Sequence, residues 1–203
     1  MTTFAKTYLE HCGSGPARVI PGFRLTDLVE LFAALGYRTG AEIGVAQGRF
    51  SEQLCRAMPG LELLCVDPWC GYQGDTRNRP LAQHVASYDE ARRRLAPFTV
   101  TIRRAMSMDA VESVPLESLD FVFVDANHSY QHVREDLLLW SARVRPGGIV
   151  AGDDYYVFKY AGVIEAVHDV TRTLGITTWW ITDDPTRKNY RGQQQPAYFW
   201  VKP

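Results

Sequence analysis

Short β-rich runs alternate with segments of helical period along nearly the whole chain, and few folds accommodate that alternation. Parallel strands cannot be joined by a tight turn, so the chain between them must cross over, usually as a helix packed on the sheet. Leu25, Leu28, Val29, Phe32 and Leu35 fall on one helical face and predict a helix over 25–36 that ends at Gly36. Residues 41–45 read as a strand running straight into a glycine turn, and a helix over 50–58 follows until Pro59-Gly60 stops it. The same reading gives strands at 61–66, 98–103, 119–124 and 149–152. Helices are expected over 81–95, along the Val133, Leu137, Trp140 and Val144 stripe, and along Tyr160, Val163, Ile164, Val167 and Leu174. Two β-rich runs, 177–182 and 197–201, close the chain around a polar loop with no room for a crossover helix, so this last pair should be antiparallel. The fold class is therefore α/β: a Rossmann-like, seven-stranded, mainly parallel sheet with an antiparallel last strand and helices on both faces.

A chain of 203 residues fits one domain, with residues 1–38 as an N-terminal helical or lid region and 39–203 as the Rossmann-like core. Twenty-two basic residues against 23 acidic ones give a net charge of -1, which leaves no electrostatic footprint for nucleic acid or an anionic membrane. No basic n-region with an apolar stretch opens the sequence, and no apolar run approaches the ~18 residues of a membrane span. Cys12, Cys55, Cys65 and Cys70 form no CxxC pair and read as free thiols of a reducing, cytoplasmic environment. The N-terminal region and the loops at 70–80 and 183–196 are the natural places for an acceptor lid or for contacts of a homo-oligomer. Arg92-Arg93-Arg94 reads as the charge bias of a helix C-terminus.

The expected ligand site is the first strand-to-helix turn, Glu42-Ile43-Gly44-Val45-Ala46-Gln47-Gly48, where small residues let the backbone approach a cofactor at the carboxyl edge of the sheet. As a dinucleotide fingerprint it fails, because Ala46 stands at the middle glycine and the third glycine is missing. Asp67 ends the next strand and can accept hydrogen bonds from the ribose hydroxyls of a nucleoside, an arrangement that serves NAD equally well. Met106 and Ser107 follow the 98–103 strand, where they can meet an adenine edge, although a loop serine is as readily a simple turn residue.

The most specific text is VDANHSYQHVREDLLLW followed by RPGGIVAGDDY. With AEIGVAQGRFSEQL and CVDPW, it resembles the class I S-adenosylmethionine-dependent methyltransferases that carry a DxxHSY motif after the fourth core strand, and the turn matches their ExGxxxG motif. It is also similar to the metal-dependent O-methyltransferases that act on sugars of macrolide antibiotics. The resemblance spans residues 40 to 156. It implies that Glu42, Gly44 and Gly48 shape the methionine end of the cofactor pocket, that Asp67 holds the ribose, that Ser107 lies by the adenine and that Asp125 sits beside the transferring methyl. In the metal-dependent subgroup the positions of Asp125, Asp153 and Asp154 bind a divalent cation, and that of His128 supplies the general base.

Physical chemistry supports the same quartet. Three carboxylates leaving the ends of neighbouring strands repel one another unless a cation or a proton compensates. Oxygen ligands suit magnesium, a cation on the acceptor hydroxyl lowers its pKa, and His128 can then remove the proton. The bland reading has Asp153-Asp154 capping the next helix, Asp125 anchoring a loop and His128 hydrogen-bonding within it. His132 reads as structural, and Tyr130, Tyr155 and Tyr156 as possible walls of an acceptor pocket. The expected activity is O-methylation of a hydroxyl on a small molecule, a sugar or glycosylated natural product, with a metal-independent methyltransferase or a non-catalytic cofactor-binding module as alternatives. An NAD-dependent oxidoreductase is disfavoured by the missing glycine and the closing antiparallel strand. Methylation of a nucleic-acid base is disfavoured by the near-neutral charge and because Ala-Asn-His follows Asp125 where such enzymes carry Pro-Pro-aromatic.

Overall fold

The structure, a computed structural model, describes residues 17–71, 79–157, 161–188, 191–192 and 194–203. In chain order these form β1 (Ala17–Pro21), α1 (Leu25–Ala34), β2 (Thr39–Ile43), α2 (Arg49–Ala57), β3 (Glu62–Asp67), α3 (Leu81–Leu95), β4 (Val100–Arg104) and α4 (Ser107–Val111). Then follow β5 (Leu119–Val124), α5 (Tyr130–Ser141), β6 (Val144–Gly152), α6 (Val163–Thr173), β7 (Trp179–Asp183) and β8 (Tyr198–Val201). The strands make one sheet in the order β1-β7-β8-β6-β5-β2-β3-β4. All neighbours are parallel except β8, which runs antiparallel to both β6 and β7. The short closing connection therefore acts as expected, reversing the chain where a crossover could not fit.

The sheet has eight strands rather than seven. The additional one, β1, pairs in parallel with β7 from Ala17↔Trp179 to Pro21↔Asp183. Only Ile20 of its five residues is buried, and it carries Arg18 and ends on Pro21, so no apolar alternation announces it. Those are the marks of an edge strand, which needs no second hydrogen-bonding partner and tolerates proline. Part of the region expected as an N-terminal helix or lid is thus built into the sheet, while residues 1–16 lie outside the described residues. So do 72–78 of the expected 70–80 loop and Tyr160 of the last helical stripe.

Alternating strand residues build two cores. Phe121 and Phe123 of β5 pack towards α1, α2 and α3, with Leu28, Phe32, Leu54 and Leu95. Val122 and Val124 pack towards α4, α5 and α6, with Val111, Leu137, Trp140 and Val167. At the amino edge, Asp120 accepts the backbone N–H groups of Arg38 (2.6 Å) and Thr39 (2.9 Å) and the Nε of Arg145 (2.7 Å), tying β2, β5 and β6 together. The strand order reverses between β2 and β5, and the loops leaving those two strands diverge to opposite faces. That reversal opens a crevice at the carboxyl edge of an α/β sheet, where ligands bind. Among the described residues, no helix is long and apolar enough to cross a membrane.

Candidate functional site

The crevice starts at Gly44, whose φ of +94 lies where L-residues are strained. A Cβ there would stand 2.0 Å from the carbonyl oxygen of Asp125, so only glycine lets the β2 and β5 loops touch. Ala46 (φ +48) and Trp69 (φ +43) also adopt left-handed backbone, a conformation costing roughly 1–2 kcal/mol for a residue with a Cβ. Asp67 offsets that strain: its Oδ2 accepts the N–H groups of Val45 (3.1 Å) and Ala46 (2.9 Å), and its Oδ1 accepts that of Trp69 (2.7 Å). The Trp69 indole N–H closes the arrangement on the Ala46 carbonyl at 2.8 Å. Three of the carboxylate's roughly four lone-pair sites are in use, which leaves one for a ligand hydroxyl rather than a pair. Gly48, at φ +71, precedes α2 as its N-cap.

Two clefts meet over this turn, sharing Gly44, Pro68 and Ala126. One is polar, about 600 Å³ including its open mouth, and takes in Ala46, Asp67, Trp69, His84, Ser87 and Asp125. The other, about 440 Å³ including its open mouth, has Ile43, Val66, Met106 and Met108 on its apolar side and His132, Glu135 and Asp136 of α5 on the other. Met106 lines this second cleft. Ser107 lies beside it, but its hydroxyl is engaged, accepting from Trp140 Nε1 (2.7 Å) and donating to Asp136 Oδ1 (2.5 Å). Burial pushes the Asp136 carboxyl up to about 7 against the opposing effect of that serine.

Glu42 lines neither cleft. It sits beneath the turn on the α2 side of β2, 3% exposed, and its Oε2 accepts from Ser51, which in turn accepts from the Cys65 thiol at 3.3 Å. Burial pushes its carboxyl up to about 8; the Ser51 bond opposes that and the charges of Asp125 and Asp67 add to it. Glu42 therefore carries a proton at neutral pH.

At the ends of β5 and β6 the structure gathers Asp125, His128 and Asp154. His128 Nε2 is 3.2 Å from Asp125 Oδ1 and 3.2 Å from Asp154 Oδ2. One donor atom from each of the three lies within 4.8 Å of the others, an arrangement able to hold a cation. Burial raises the Asp154 carboxyl, and Asp125 raises it further. Asp153, expected in the same cluster, is directed elsewhere: 6% exposed, it is held by both terminal nitrogens of Arg187, with Nη1 2.7 Å from Oδ1. Consecutive residues at a strand end face opposite ways, and the left-handed backbone of Asp154 (φ +58) separates the two carboxylates further. Arg187 also donates to the Gln195 carbonyl at 2.6 Å, and Gln195 Nε2 donates to Asp154 Oδ1 at 3.2 Å, so the β7–β8 connection braces the site from the side.

The three tyrosines part company. Tyr155 packs edge-on against Trp179, with its hydroxyl 2.9 Å from His168 Nε2, and burial pushes it up to about 12. Tyr130 donates to Asp169, and Tyr156 Oη accepts from Gln195 Nε2 at 3.3 Å. His132 bonds Ser129 at the start of α5 through Nδ1 at 2.7 Å and also lines the second cleft. Arg187 and His84 belong to no motif, and Asp136 lies within the VDANHSYQHVREDLLLW text, where nothing local marks its bond to Ser107. Trp69 belongs to the CVDPW text, yet its indole bond to Ala46 follows from no spacing rule.

Residues 41–155 match the model of a family described as a methyltransferase domain. The O-methyltransferase TomG of Streptomyces achromogenes, involved in tomaymycin synthesis and solved in complex with SAM, shares 21% identity. It aligns with a TM-score of 0.62 over 91% of this chain and 84% of that one. An O-methyltransferase of Bacillus cereus in complex with SAH aligns with a TM-score of 0.61 at 17% identity, over 98% of this chain and 86% of that one. At these identities the likeness is one of fold. A comparison with curated proteins finds no match.

Proposed function

The chain belongs to the methyltransferase-domain family, with the class I S-adenosylmethionine-dependent fold, and we propose that it methylates a hydroxyl of a small acceptor, a sugar or glycosylated natural product, with His128 as general base. The observation that carries this reading is the imidazole of His128 between two carboxylates, at the end of the strand beside the glycine turn. The adenine is assigned to the cleft lined by Met106 and the ribose to the open acceptor site of Asp67. The sulfonium is assigned to the part of the polar cleft lined by Gly44 and Asp125. Bound S-adenosylmethionine supplies an electrophilic methyl group, activated by the positive sulfur.

In this reading His128 Nε2 takes the hydroxyl proton as the acceptor oxygen approaches the methyl carbon. Bound S-adenosylmethionine would give up its methyl to the acceptor oxygen and keep the electron pair of the S–CH₃ bond, while His128 holds the proton on its imidazole. Asp125 and Asp154 then face an imidazolium, which their charges stabilise. Holding the acceptor close and oriented beside the methyl carbon would be the largest help the protein gives such a displacement.

A second reading adds a divalent cation, favoured by the three converging donors. Asp125, Asp154 and His128 would hold it, and it would lower the pKa of an acceptor hydroxyl. Magnesium suits the two carboxylates, whereas an imidazole ligand also admits softer ions. Asp153 fits this role less well, because both of its oxygens are on Arg187.

The test is calorimetric titration with S-adenosylmethionine, followed by measurement of S-adenosylhomocysteine release over a panel of sugars and glycosides, with EDTA or with magnesium. His128→Ala should keep cofactor affinity and lower turnover by about 10²- to 10⁴-fold. Undiminished turnover would remove His128 from the chemistry, and absence of cofactor binding would overturn the assignment of the clefts. Turnover that survives EDTA would select the metal-free reading.

A further inference from the structure

We propose that His84, in the wall of the polar cleft, binds the carboxylate at the amino-acid end of S-adenosylmethionine. The proposal rests on the cofactor reading above and assigns the one part of that ligand still without a partner.

His84 lines the cleft, and its Nε2 is fully enclosed with no hydrogen-bond partner among the described residues. Leaving an enclosed polar nitrogen unpaired costs roughly 1–3 kcal/mol, so such atoms call for a specific explanation, and a ligand oxygen is one. The neighbours of His84 in the cleft are also donors. Ser87, three residues on along α3 and on the same helix face, is 7% exposed and lines the cleft, as does Arg79 just before the helix.

The cleft is divided by charge. Its acidic lining residues are Asp67 and Asp125, and its basic ones are Arg79 and His84. With the ribose at Asp67, the sulfonium at Asp125 and the adenine across Gly44 in the second cleft, the amino-acid end is left with the α3 wall. A carboxylate there meets the imidazole N–H and the serine hydroxyl. The wall is also held in place by the loop that receives the cofactor: Arg94 of α3 donates through Nε to the Gln47 carbonyl at 3.1 Å and through Nη1 to Glu52 at 2.5 Å. Helix α3 and the glycine turn therefore keep a constant spacing, which a two-ended ligand requires.

The experiment is calorimetric binding of two probes to the full chain. One is S-adenosylhomocysteine; the other is its decarboxylated analogue, which keeps the ammonium group and lacks only the carboxylate. His84→Ala should weaken S-adenosylhomocysteine about ten-fold or more, the loss of one hydrogen bond to a charged group, and leave the analogue within about two-fold. His84→Gln, whose amide can still donate, should recover part of the loss. Retained analogue binding shows that the variant is folded and the nucleoside site intact. Equal weakening of both probes, or of neither, in both variants overturns the proposal. If the unaltered protein binds neither probe, the cofactor reading itself falls and takes this assignment with it.

Discussion

Replacing Glu42 by glutamine removes a titration that the folded and unfolded chains perform at different pH. The carboxyl has an ordinary value of 4.5 and rises to about 8 in the fold, chiefly because burial beneath the glycine turn penalises its charged form. Below the unfolded value both states hold the proton, and the stabilising influence of the neutral buried acid is fully present. Between the two values the folded chain keeps a proton that the unfolded chain has released, so stability falls by about 1.4 kcal/mol for each pH unit gained. By neutral pH about 3 kcal/mol has been lost, and the decline ends above about pH 8 near 5 kcal/mol. Glutamine has the same shape and no titration, and its carbonyl can still accept from Ser51. It adds one amide N–H without a partner, at roughly 1 kcal/mol. Glu42→Gln should therefore be slightly less stable than the parent near pH 4.5 and about 2 kcal/mol more stable near pH 7. Urea denaturation of both proteins from about pH 5 to about pH 8 measures the difference directly. Parallel curves with a constant offset would refute the reasoning, because they would mean that Glu42 titrates alike in both states.

Two further substitutions test the geometry of the crevice. Gly44→Ala places a methyl 2.0 Å from the Asp125 carbonyl at a left-handed φ, so the β2 and β5 loops must separate. We expect a loss of about 3 kcal/mol or more in thermal unfolding together with loss of S-adenosylhomocysteine binding, and an unchanged melting temperature would contradict the close approach. Arg187→Met strands the Asp153 carboxylate in a buried site and should cost about 3–5 kcal/mol at neutral pH. The cost should shrink as pH falls and Asp153 takes up a proton, and adding Asp153→Asn should restore most of the stability. A single variant within about 1 kcal/mol of the parent would show that the pair carries little of the site's order.

Patterns that repeat over neighbouring residues made much of the fold legible. The stripe at Leu25, Leu28, Val29 and Phe32 needed only helical period, and α1 follows it closely. The run LDFVFV became β5 with the bounds its composition suggests, since a strand covered on both faces is apolar throughout. Gly44, Asp67 and Asp125 were found as candidates because each ends a recognisable strand at the carboxyl edge. Met106 and Ser107 were placed by the same logic, but nothing local announced that Asp136, 29 residues further on, would take the serine hydroxyl.

By itself, the sequence determined an α/β chain whose strands mostly run parallel, a reversed closing strand forced by a short connection, and a glycine turn facing the ends of neighbouring strands. These are consequences of covalent reach and of periods of two and 3.6 residues, and both are local. Only the tertiary structure decided that Ala17–Pro21 joins the sheet, because an edge strand needs a partner's backbone more than a pattern of its own. It alone protonated Glu42, since the pKa shift comes from the water excluded by α2 and β3. It also separated Asp153 from Asp154, giving one to Arg187 across 34 residues and the other to His128. Adjacent carboxylates are equivalent on paper; burial and the direction of each side chain made one a structural anion and the other part of the candidate centre.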